Sequence, residues 1–347
     1  MRSWAELRVD EIQNVARRLT GGPVGTPMRV EGGSNNRVYK VAAGGVEYAL
    51  KIYWGNGSHI NDRLEAEFGA LTFLHKRGVR CVPEAIACNR SHRLAQYEWI
   101  EGQPVSIISE KDLVQALDFI RTLHSLRNAA GSEKLPFAAE TCMSANELVR
   151  QVESRFENLA RIGIRYDRLN ELLHFRIKPA IEEAIRAARK GYRDAALDFS
   201  AALKPEFRTL SPSDFGFHNS RRCADGRIKF LDFEYFGWDD PAKLATDFVV
   251  HPGMTLSEER KSSFLKGVMQ IFGDDPSFVM RTHFLAPLYT LRWCLIVLNE
   301  FLPERWAQRN AVWQEAKRDS VLSRQLTKAE CLLFDAECRL ENFPIGS

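Results

Sequence analysis

The residues best suited to chemistry lie in one polar segment and in the acidic cluster that follows it. Asp214 and Asn219 are five residues apart, and Asp232 follows thirteen residues after Asn219 at the end of an apolar run, with Glu234 close behind. The amide of Asn219 and the carboxylate of Asp232 are oxygen ligands of the kind that hold Mg²⁺ against a nucleotide triphosphate. The carboxylate of Asp214 then remains for an acceptor hydroxyl. This spacing predicts phosphoryl transfer.

Two further charged residues lie nearer the N-terminus. Lys51 shares one face of a predicted strand with Ala49 and Tyr53, so its ammonium group needs a counter-charge or an anionic ligand. Glu67 falls on the apolar stripe of a predicted helix, where a carboxylate needs a cationic partner. We therefore expect Lys51 and Glu67 to pair, an arrangement that orients a lysine toward nucleotide phosphates. The alternative is two unrelated surface charges.

A small β-rich unit has to position this pair. Alternating apolar residues separated by glycine-rich turns predict an antiparallel meander, then a helix and two more strands. A helix at residues 4–19 precedes them and is expected to be a lid or a buttress. The predicted strands are residues 28–31, 37–42, 46–53, 84–88 and 94–99, and the helix between them is residues 61–77.

The remainder of the chain is dominated by amphipathic helices. One is predicted to begin at a capping box in residues 109–112, and others at residues 146–162, 167–190 and 257–272. Only residues 210–233, around the polar segment, are predicted as short strands and loops. The fold class is α+β and bilobal. The predicted units are an N-terminal helical extension (1–27), a small β-rich lobe (28–100) and a larger, mainly helical lobe (101–347).

The composition of the 347-residue chain is that of an ordinary globular protein, with 45% hydrophobic and 27% charged residues. The net charge is +3 and the sequence contains no long basic run, which argues against a nucleic-acid partner.

The seven cysteines form no Cys-x-x-Cys pair and are expected to be reduced. The longest apolar run, residues 284–298, contains Pro287 and Arg292, so no membrane span is expected and a cytoplasmic location is predicted. The oligomeric state stays open.

In their order along the chain, these motifs resemble those of the aminoglycoside phosphotransferase and choline kinase-like family, a small-molecule branch of the protein-kinase-like fold. The similarity covers residues 28–250. Each motif is weak alone, but the set in this order and spacing is specific. The matching segments are the turn at residues 32–39, the strand with Lys51, the helix with Glu67, the hinge at residues 97–102, the loop at residues 214–219, the acidic cluster at residues 232–234, and Asp240-Pro241 followed by Asp247.

The resemblance implies a bilobal protein-kinase-like fold that uses ATP and Mg²⁺. It implies that Asp214 accepts or orients the proton of the acceptor hydroxyl, and that Asn219, Asp232 and Glu234 are metal ligands. The implied nucleotide-binding residues are Lys51 at the α- and β-phosphates, Glu67 that holds Lys51, Glu98 and Ile100 at adenine, and the turn residues Ser34, Asn35 and Asn36 at phosphate oxygens.

The chain departs from the family at Pro212-Ser213, where the family commonly has His-Gly before the catalytic aspartate. Because that histidine is usually an architectural brace, a catalytically degenerate nucleotide-binding scaffold stays an alternative to an active kinase. A kinase that acts on protein is disfavoured, because no recognisable activation segment lies between Asp232 and Asp240. His124 and His218 are interpreted as packing or hydrogen-bonding residues.

The expected acceptor is a small molecule with a hydroxyl group. A polycationic aminoglycoside calls for an acidic cleft, which a net charge of +3 does not support. We therefore expect a neutral or anionic compound such as a sugar or glycan precursor, with an aminoglycoside as the alternative. Candidates for the acceptor pocket come from the late helices, although core packing is the expected role for most of them. They are Tyr289, Arg292, Trp293 and Glu300.

Overall fold

The computed structural model of the chain describes residues 8–30, 36–53, 62–312 and 318–342. Its N-terminal part contains a five-stranded antiparallel sheet. The strands are β1 (Met28–Val30), β2 (Asn36–Ala43), β3 (Val46–Tyr53), β4 (Ala85–Asn89) and β5 (Leu94–Glu98). Their order in the sheet is β1-β2-β3-β5-β4. The predicted meander of the first three strands is confirmed, because β2 pairs antiparallel with both β1 and β3.

Two helices pack against this sheet. α1 (Val9–Thr20) buries its apolar side chains in a cluster that includes Leu50 of β3. α2 (Arg63–His75) packs in a different cluster, which includes Tyr53 of the same strand. Because successive side chains of a strand point to opposite faces, Leu50 meets α1, whereas Lys51 and Tyr53 lie on the α2 side. Of the two roles predicted for the N-terminal helix, the contacts fit a buttress of the sheet.

Two short sheets frame the polar segment in the C-terminal part. The first pairs β7 (Thr209–Ser211) with β10 (Gly237–Asp239), and the second has the order β6 (Gln103–Pro104), β8 (Ser220–Arg222), β9 (Ile228–Phe230). A Cβ on Gly102 would lie 2.8 Å from the carbonyl oxygen of Arg222, so glycine permits the close approach of β6 to β8. Residues 212–219, here called the Asp214 loop, connect β7 to β8, and the acidic cluster follows β9.

The rest of the described chain is mainly helical. The helices are α3 (Glu110–Ser125), α4 (Ala145–Gly163), α5 (Asp167–Glu171), α6 (Lys178–Asp194), α7 (Pro241–Val250), α8 (Glu258–Ile271), α9 (Phe278–Val297), α10 (Pro303–Val312) and α11 (Arg318–Asn342). The predicted capping box is confirmed at the start of α3, where the side chains of Ser109 and Asp112 each accept from the other's backbone N–H.

The helix predicted over residues 167–190 is confirmed, but it is not α-helical throughout. A π-helical turn, Leu172–Ile177, separates α5 from α6. Pro179 lies just after it, and a proline lacks the N–H for the helical hydrogen bond and clashes with the carbonyl four residues earlier. A wider turn relieves that clash, a feature that apolar periodicity alone does not reveal.

α9 is the central helix of the C-terminal part. With the turn that follows it, Phe278–Phe301, it has 24 residues and is long and apolar enough to cross a membrane. However, 67% of its most apolar stretch is buried inside the protein, where it contacts α4, α6, α7 and α11. Packing within the helical lobe accounts for the apolar character of this helix.

Candidate active site

A cleft of about 890 Å³ lies between the sheet and the helical part of the protein. Strands β2 and β3 and the segment after β5 form one wall, and the Asp214 loop and the acidic cluster form the other. Lys51, Asp214, Asn219 and Asp232 all line this cleft. The structure thus gathers side chains that are distant in sequence into one crevice.

Lys51 and Glu67 form the predicted ion pair. Lys51 Nζ lies 2.6 Å from Glu67 Oε2, and the two side chains are 9% and 5% exposed. The same Glu67 oxygen accepts a hydrogen bond from the Tyr53 hydroxyl at 2.7 Å, and the other accepts one from the Phe233 backbone N–H at 3.3 Å. Burial disfavours the charged lysine, but attraction by Asp232 and Glu67 outweighs it and holds the pKa of Lys51 well above its ordinary value. Lys51 is therefore a fixed positive charge.

Lys51 also reaches across the cleft to the acidic cluster. Its Nζ lies 2.5 Å from Asp232 Oδ1 and 3.7 Å from Glu234 Oε2. Asp232 has a left-handed backbone conformation with φ of +66°, which is uncommon for a residue other than glycine and is typical of functional positions. Its side chain is 34% exposed and lines the cleft, so one carboxylate is presented to a ligand.

Glu234 is more enclosed than Asp232. Its buried side chain accepts a hydrogen bond from Asn36 Nδ2 and lies 3.6 Å from Arg63 Nη1. Burial is the largest effect on this carboxyl group and raises its pKa above the ordinary value. Glu234 is not among the described residues that line the cleft. Its observed contacts join the two lobes, and its role as a metal ligand stays a prediction.

The acidic cluster suits a divalent cation. Glu67, Asp232 and Glu234 each place a carboxylate oxygen within 4.8 Å of the others. Lys51 and Arg63 supply two positive charges against these three negative charges. A cluster of carboxylates whose charge is incompletely neutralised is the oxygen environment in which Mg²⁺ binds. Asp232 and Glu234 therefore offer oxygen atoms of the kind that Mg²⁺ accepts, whereas Glu67 is paired with Lys51.

Asn219 and Asp214 meet at the end of the Asp214 loop. Asn219 Nδ2 donates a hydrogen bond to the backbone carbonyl of Asp214 at 3.1 Å and lies 3.4 Å from Asp214 Oδ2. Because the amide nitrogen of Asn219 faces Asp214, its amide oxygen points away from Asp214. An amide oxygen is a neutral ligand that a hard cation such as Mg²⁺ accepts. The five-residue spacing read from the sequence is thus matched by contact in space.

Two histidines that were not assigned to the site from the sequence contact Asp214. Nε2 of His218 lies 3.1 Å and Nε2 of His251 lies 3.0 Å from Asp214 Oδ1. The two rings stack in parallel, with 3.8 Å between centroids and 7° between planes. Burial disfavours the Asp214 carboxylate, but hydrogen bonds from His218 and His251 outweigh it and hold the pKa of Asp214 well below its ordinary value. Asp214 is therefore ionised at neutral pH.

The sequence contained only a partial signal for these histidines. The interpretation of His218 as a hydrogen-bonding residue is confirmed, but its partner is Asp214, and its place directly before Asn219 is the clue that could have shown this. His251 follows α7, and no local pattern in the sequence points to it. His124 lies outside the cleft and packs edge-on against an aromatic ring, as interpreted.

A buried lysine of α7 holds the residue before Asp214. Lys243 Nζ lies 3.0 Å from Ser213 Oγ and 3.0 Å from a carboxylate oxygen of each of Asp239 and Asp247. Burial disfavours its charge, yet attraction by Asp239 and Asp247 outweighs it and raises the pKa of Lys243. Ser213, with φ of +67°, is thus held in an unusual conformation by a polar contact. The Asp214 loop has a brace although it lacks the family's His-Gly.

The far end of the cleft is formed by α9 and the turn after it. Trp293 Nε1 donates to Asp247 Oδ1 at 2.8 Å, and Arg292 lies 2.8 Å from the other oxygen of that carboxylate. Arg292, Trp293 and Glu300 line the cleft. Tyr289 is fully buried and is not among the described lining residues, so core packing is its role.

The remaining nucleotide-binding predictions fall partly on described residues. Glu98 and Ile100, at the end of β5 and in the hinge, line the cleft. Asn36 also lines it, as the first residue of β2. The rest of the predicted phosphate turn, residues 32–35, lies outside the described residues, as do residues 4–7 of the predicted N-terminal helix.

The sequence matches the model of the phosphotransferase enzyme family (APH) over residues 27–280. Since this match spans most of the chain, the protein belongs to that family, a class of small-molecule kinases. No curated protein sequence matches the chain.

Solved structures of similar fold include two kinds of small-molecule kinase. Spectinomycin phosphotransferase APH(9)-Ia, in complex with ADP and spectinomycin, has 12% identity and a TM-score of 0.61, with 96% of this chain and 99% of that chain covered. Choline kinase from Cryptosporidium parvum has 12% identity and a TM-score of 0.60, with coverages of 96% and 100%. The gentamicin complex of APH(2")-IIa has 15% identity and a TM-score of 0.59, with coverages of 94% and 96%. These likenesses confirm the predicted bilobal protein-kinase-like fold.

Proposed function

We propose that this protein transfers the γ-phosphoryl group of ATP to a hydroxyl group of a small molecule. The observation that carries the proposal is the convergence of Lys51, Asp214, Asn219 and Asp232 on one cleft. The ADP in the similar spectinomycin phosphotransferase structure supports a nucleotide in this cleft. The proposed location is cytoplasmic, as predicted from the sequence.

Lys51 is proposed to contact the α- and β-phosphates of the nucleotide. Its ammonium group is held by Glu67 at 2.6 Å and projects into the cleft, where three donor hydrogens on one charge suit phosphate oxygens. At the hinge, the Glu98 backbone N–H already donates to the carbonyl of Glu84 at 2.9 Å. The proposed donor to adenine is therefore Ile100, and the turn Ser34 to Asn36 is proposed to cover the phosphates.

Asn219 and Asp232 are proposed to hold Mg²⁺, with Glu234 as a further predicted ligand. When bound, Mg²⁺ neutralises negative charge on the transferred phosphoryl group. Asp214 orients the acceptor hydroxyl and receives its proton. In the transfer, the hydroxyl oxygen forms a bond to the γ-phosphorus while the bond from that phosphorus to the bridging oxygen breaks, and ADP leaves with the electron pair.

The proposed acceptor is a neutral or anionic hydroxyl compound, such as a sugar or glycan precursor. Two acidic side chains at the far end of the cleft are paired with arginines, Glu140 with Arg155 and Asp247 with Arg292. A third, Glu300, shares the lining with Arg305. Lys328 of α11 adds a positive charge to the same lining. A polycation therefore meets little net negative charge there. An aminoglycoside is the second candidate, because spectinomycin and gentamicin occupy two of the similar structures.

The contact of Lys243 with Ser213 supports an active enzyme over a degenerate scaffold. It supplies a brace for the Asp214 loop where the sequence has Pro212-Ser213. The short connection from Asp232 to β10 continues to argue against a kinase that acts on protein.

The test is an acceptor screen read by transfer of labelled phosphate from ATP. The wild-type protein is expected to phosphorylate at least one hydroxyl compound, and Asp214→Ala to lower kcat by roughly 10²- to 10⁴-fold, the range for loss of a general base, while Mg-ADP still binds. Asp225→Ala, which removes an exposed aspartate that pairs with Arg227, is the matched control and should keep activity. Equal turnover of wild type and Asp214→Ala refutes the assignment of the base. Absence of transfer to every compound favours the scaffold.

A further inference from the structure

The hydrogen bonds around the two histidines determine which ring nitrogen carries hydrogen. The Gly253 backbone N–H donates to His251 Nδ1 at 3.0 Å, so the hydrogen of a neutral His251 ring is on Nε2. His218 Nδ1 is buried without a hydrogen-bond partner in the described part of the chain. Its Nε2 faces the Asp214 carboxylate, which can only accept. Both rings therefore present an Nε2–H to Asp214.

The Nε2 atoms of both rings lie next to the same oxygen of Asp214. Oδ1 lies 3.1 Å from His218 Nε2 and 3.0 Å from His251 Nε2. Among the described residues, Oδ2 has only the 3.4 Å contact from Asn219. Because Asp214 lines the cleft and its side chain is 28% exposed, Oδ2 is the oxygen with capacity for an incoming hydroxyl.

Packing holds both rings in this orientation. A Cβ on Gly216 would lie 2.8 Å from His218 Nδ1, and a Cβ on Gly253 would lie 3.0 Å from His251 Nδ1. Trp293 meets the His251 ring nearly edge-on, with 4.4 Å between centroids.

We propose that His218 and His251 are positioning residues that fix the Asp214 carboxylate so that Oδ2 faces the acceptor hydroxyl. This inference rests on the proposed phosphotransferase function. Phosphoryl transfer proceeds through a loose transition state, in which the orientation of the nucleophile matters more than strong proton abstraction. A carboxylate with one oxygen bonded by His218 and contacted by His251 at 3.0 Å is well suited to orient a hydroxyl with the other.

Paired substitutions separate hydrogen bonding from packing. His251→Phe and His218→Phe keep a stacked ring but remove the donor, whereas His251→Gln and His218→Gln place an amide N–H near the position of Nε2. Each Phe variant is expected to lower kcat by roughly 10- to 100-fold, the range for a misplaced reacting group, with unchanged KM for the acceptor and unchanged Kd for Mg-ADP. The Gln variants are expected to recover most of the loss. Wild-type kcat in the Phe variants, or equal losses in Phe and Gln variants, overturns the inference.

Ring ¹⁵N NMR of the wild-type protein tests the same geometry without turnover. Both histidines are expected as Nε2–H tautomers whose signals shift in Asp214→Ala but not in Asp225→Ala. An Nδ1–H tautomer at His218 or His251 would overturn the positioning role. Ring ¹⁵N signals that are the same in Asp214→Ala and in the wild-type protein would also overturn it. Failure of the wild-type protein to transfer phosphate counts against the proposed function alone, because the NMR result still decides the geometry.

Discussion

Glu67 reaches Lys51 because of its position on α2. It lies three residues after Leu64 and four before Leu71, both of which are buried, so its carboxylate is carried toward the sheet. Glu65 of the same helix is on the outer side and pairs with Arg90, where both side chains are well exposed. Because Glu65 and Glu67 are two residues apart in a helix, their side chains point to different sides of it, one to solvent and one to the sheet.

Glu67→Gln is expected to weaken nucleotide binding. The amide keeps the shape of the side chain but removes the charge that holds Lys51, so the Kd for Mg-ADP should rise about tenfold, equivalent to about 1.4 kcal/mol. Calorimetric titration measures this. Glu65→Gln is the matched control on the same helix and should leave the Kd unchanged, since exposed ion pairs contribute little. Equal affinity of Glu67→Gln and the wild-type protein would contradict the role of the pair.

His124 makes stability depend on pH. Its Nδ1 lies 3.2 Å from Thr209 Oγ1, and burial lowers its pKa from 6.5 to about 4. The unfolded chain therefore takes up a proton below about pH 6.5, whereas the folded protein does so only near pH 4. The stability contributed by neutral His124 is complete above that range and is lost as the pH falls through it.

His124→Asn keeps an amide N–H for Thr209 and removes the titrating ring. The decrease in the free energy of unfolding between about pH 7 and about pH 5 should therefore be smaller in this variant than in the wild-type protein. Urea unfolding at the two pH values measures the difference. The same decrease in both proteins would show that His124 is not a source of the pH dependence.

At the scale of the element, α7 organises the Asp214 loop. Its N-terminal cap is Asp240, whose carboxylate accepts from the Ala242 backbone N–H at 2.8 Å. One turn further on, Lys243 bonds Ser213 within the loop, and His251, directly after the helix, contacts Asp214. One helix thus contacts the loop at two points, so its packing determines the position of the catalytic carboxylate.

Lys243→Met is expected to destabilise the protein strongly. Methionine fills similar space, but Asp239 and Asp247 lose a buried counter-charge, and removal of one partner from a buried ion cluster costs roughly 3–5 kcal/mol. Denaturant unfolding measures the loss. Lys190→Met is the matched control, because Lys190 pairs with Asp194 on an exposed face of α6 and contributes little. Equal unfolding free energies for the two variants would argue against the brace.

At the scale of the whole molecule, charged contacts across the cleft join the two lobes. Lys51 and Asn36 of the sheet reach Asp232 and Glu234 after β9. The Phe230 backbone N–H also donates to a carbonyl of the N-terminal part at 2.8 Å. A ligand that binds both walls of the cleft should therefore stabilise the fold as a unit.

Mg-ADP is expected to raise the free energy of unfolding. At a free concentration one hundred times its Kd, a ligand specific for the folded state adds about 2.7 kcal/mol. Thermal or urea unfolding with and without Mg²⁺ measures the effect. In Asp232→Asn, the additional stabilisation by Mg²⁺ should vanish, while the stabilisation by ADP alone should remain. No stabilisation of the wild-type protein at any concentration would contradict nucleotide binding in the cleft.

Local patterns in the sequence were sufficient to predict the Lys51–Glu67 pair, the kind of chemistry and the bilobal organisation. Lys51 and Glu67 could be paired because strand alternation and helical periodicity each determine which way a side chain points within one element. The spacing of Asp214, Asn219 and Asp232 indicated the chemistry, since ligands on one loop and the next strand are close in the chain. The bilobal α+β organisation followed from the change from short alternating runs to long amphipathic ones.

Contacts between elements were decided only in the tertiary structure. His251 and Lys243 reach the Asp214 loop through the packing of α7, and Asn36 reaches Glu234 across the cleft. Strand and helix periods act over a few residues and carry no information about which distant segment lies opposite. The sequence by itself therefore determined the chemical groups and the elements that carry them. Tertiary packing decided which groups hold the catalytic carboxylate, because that depends on burial and on partners far along the chain.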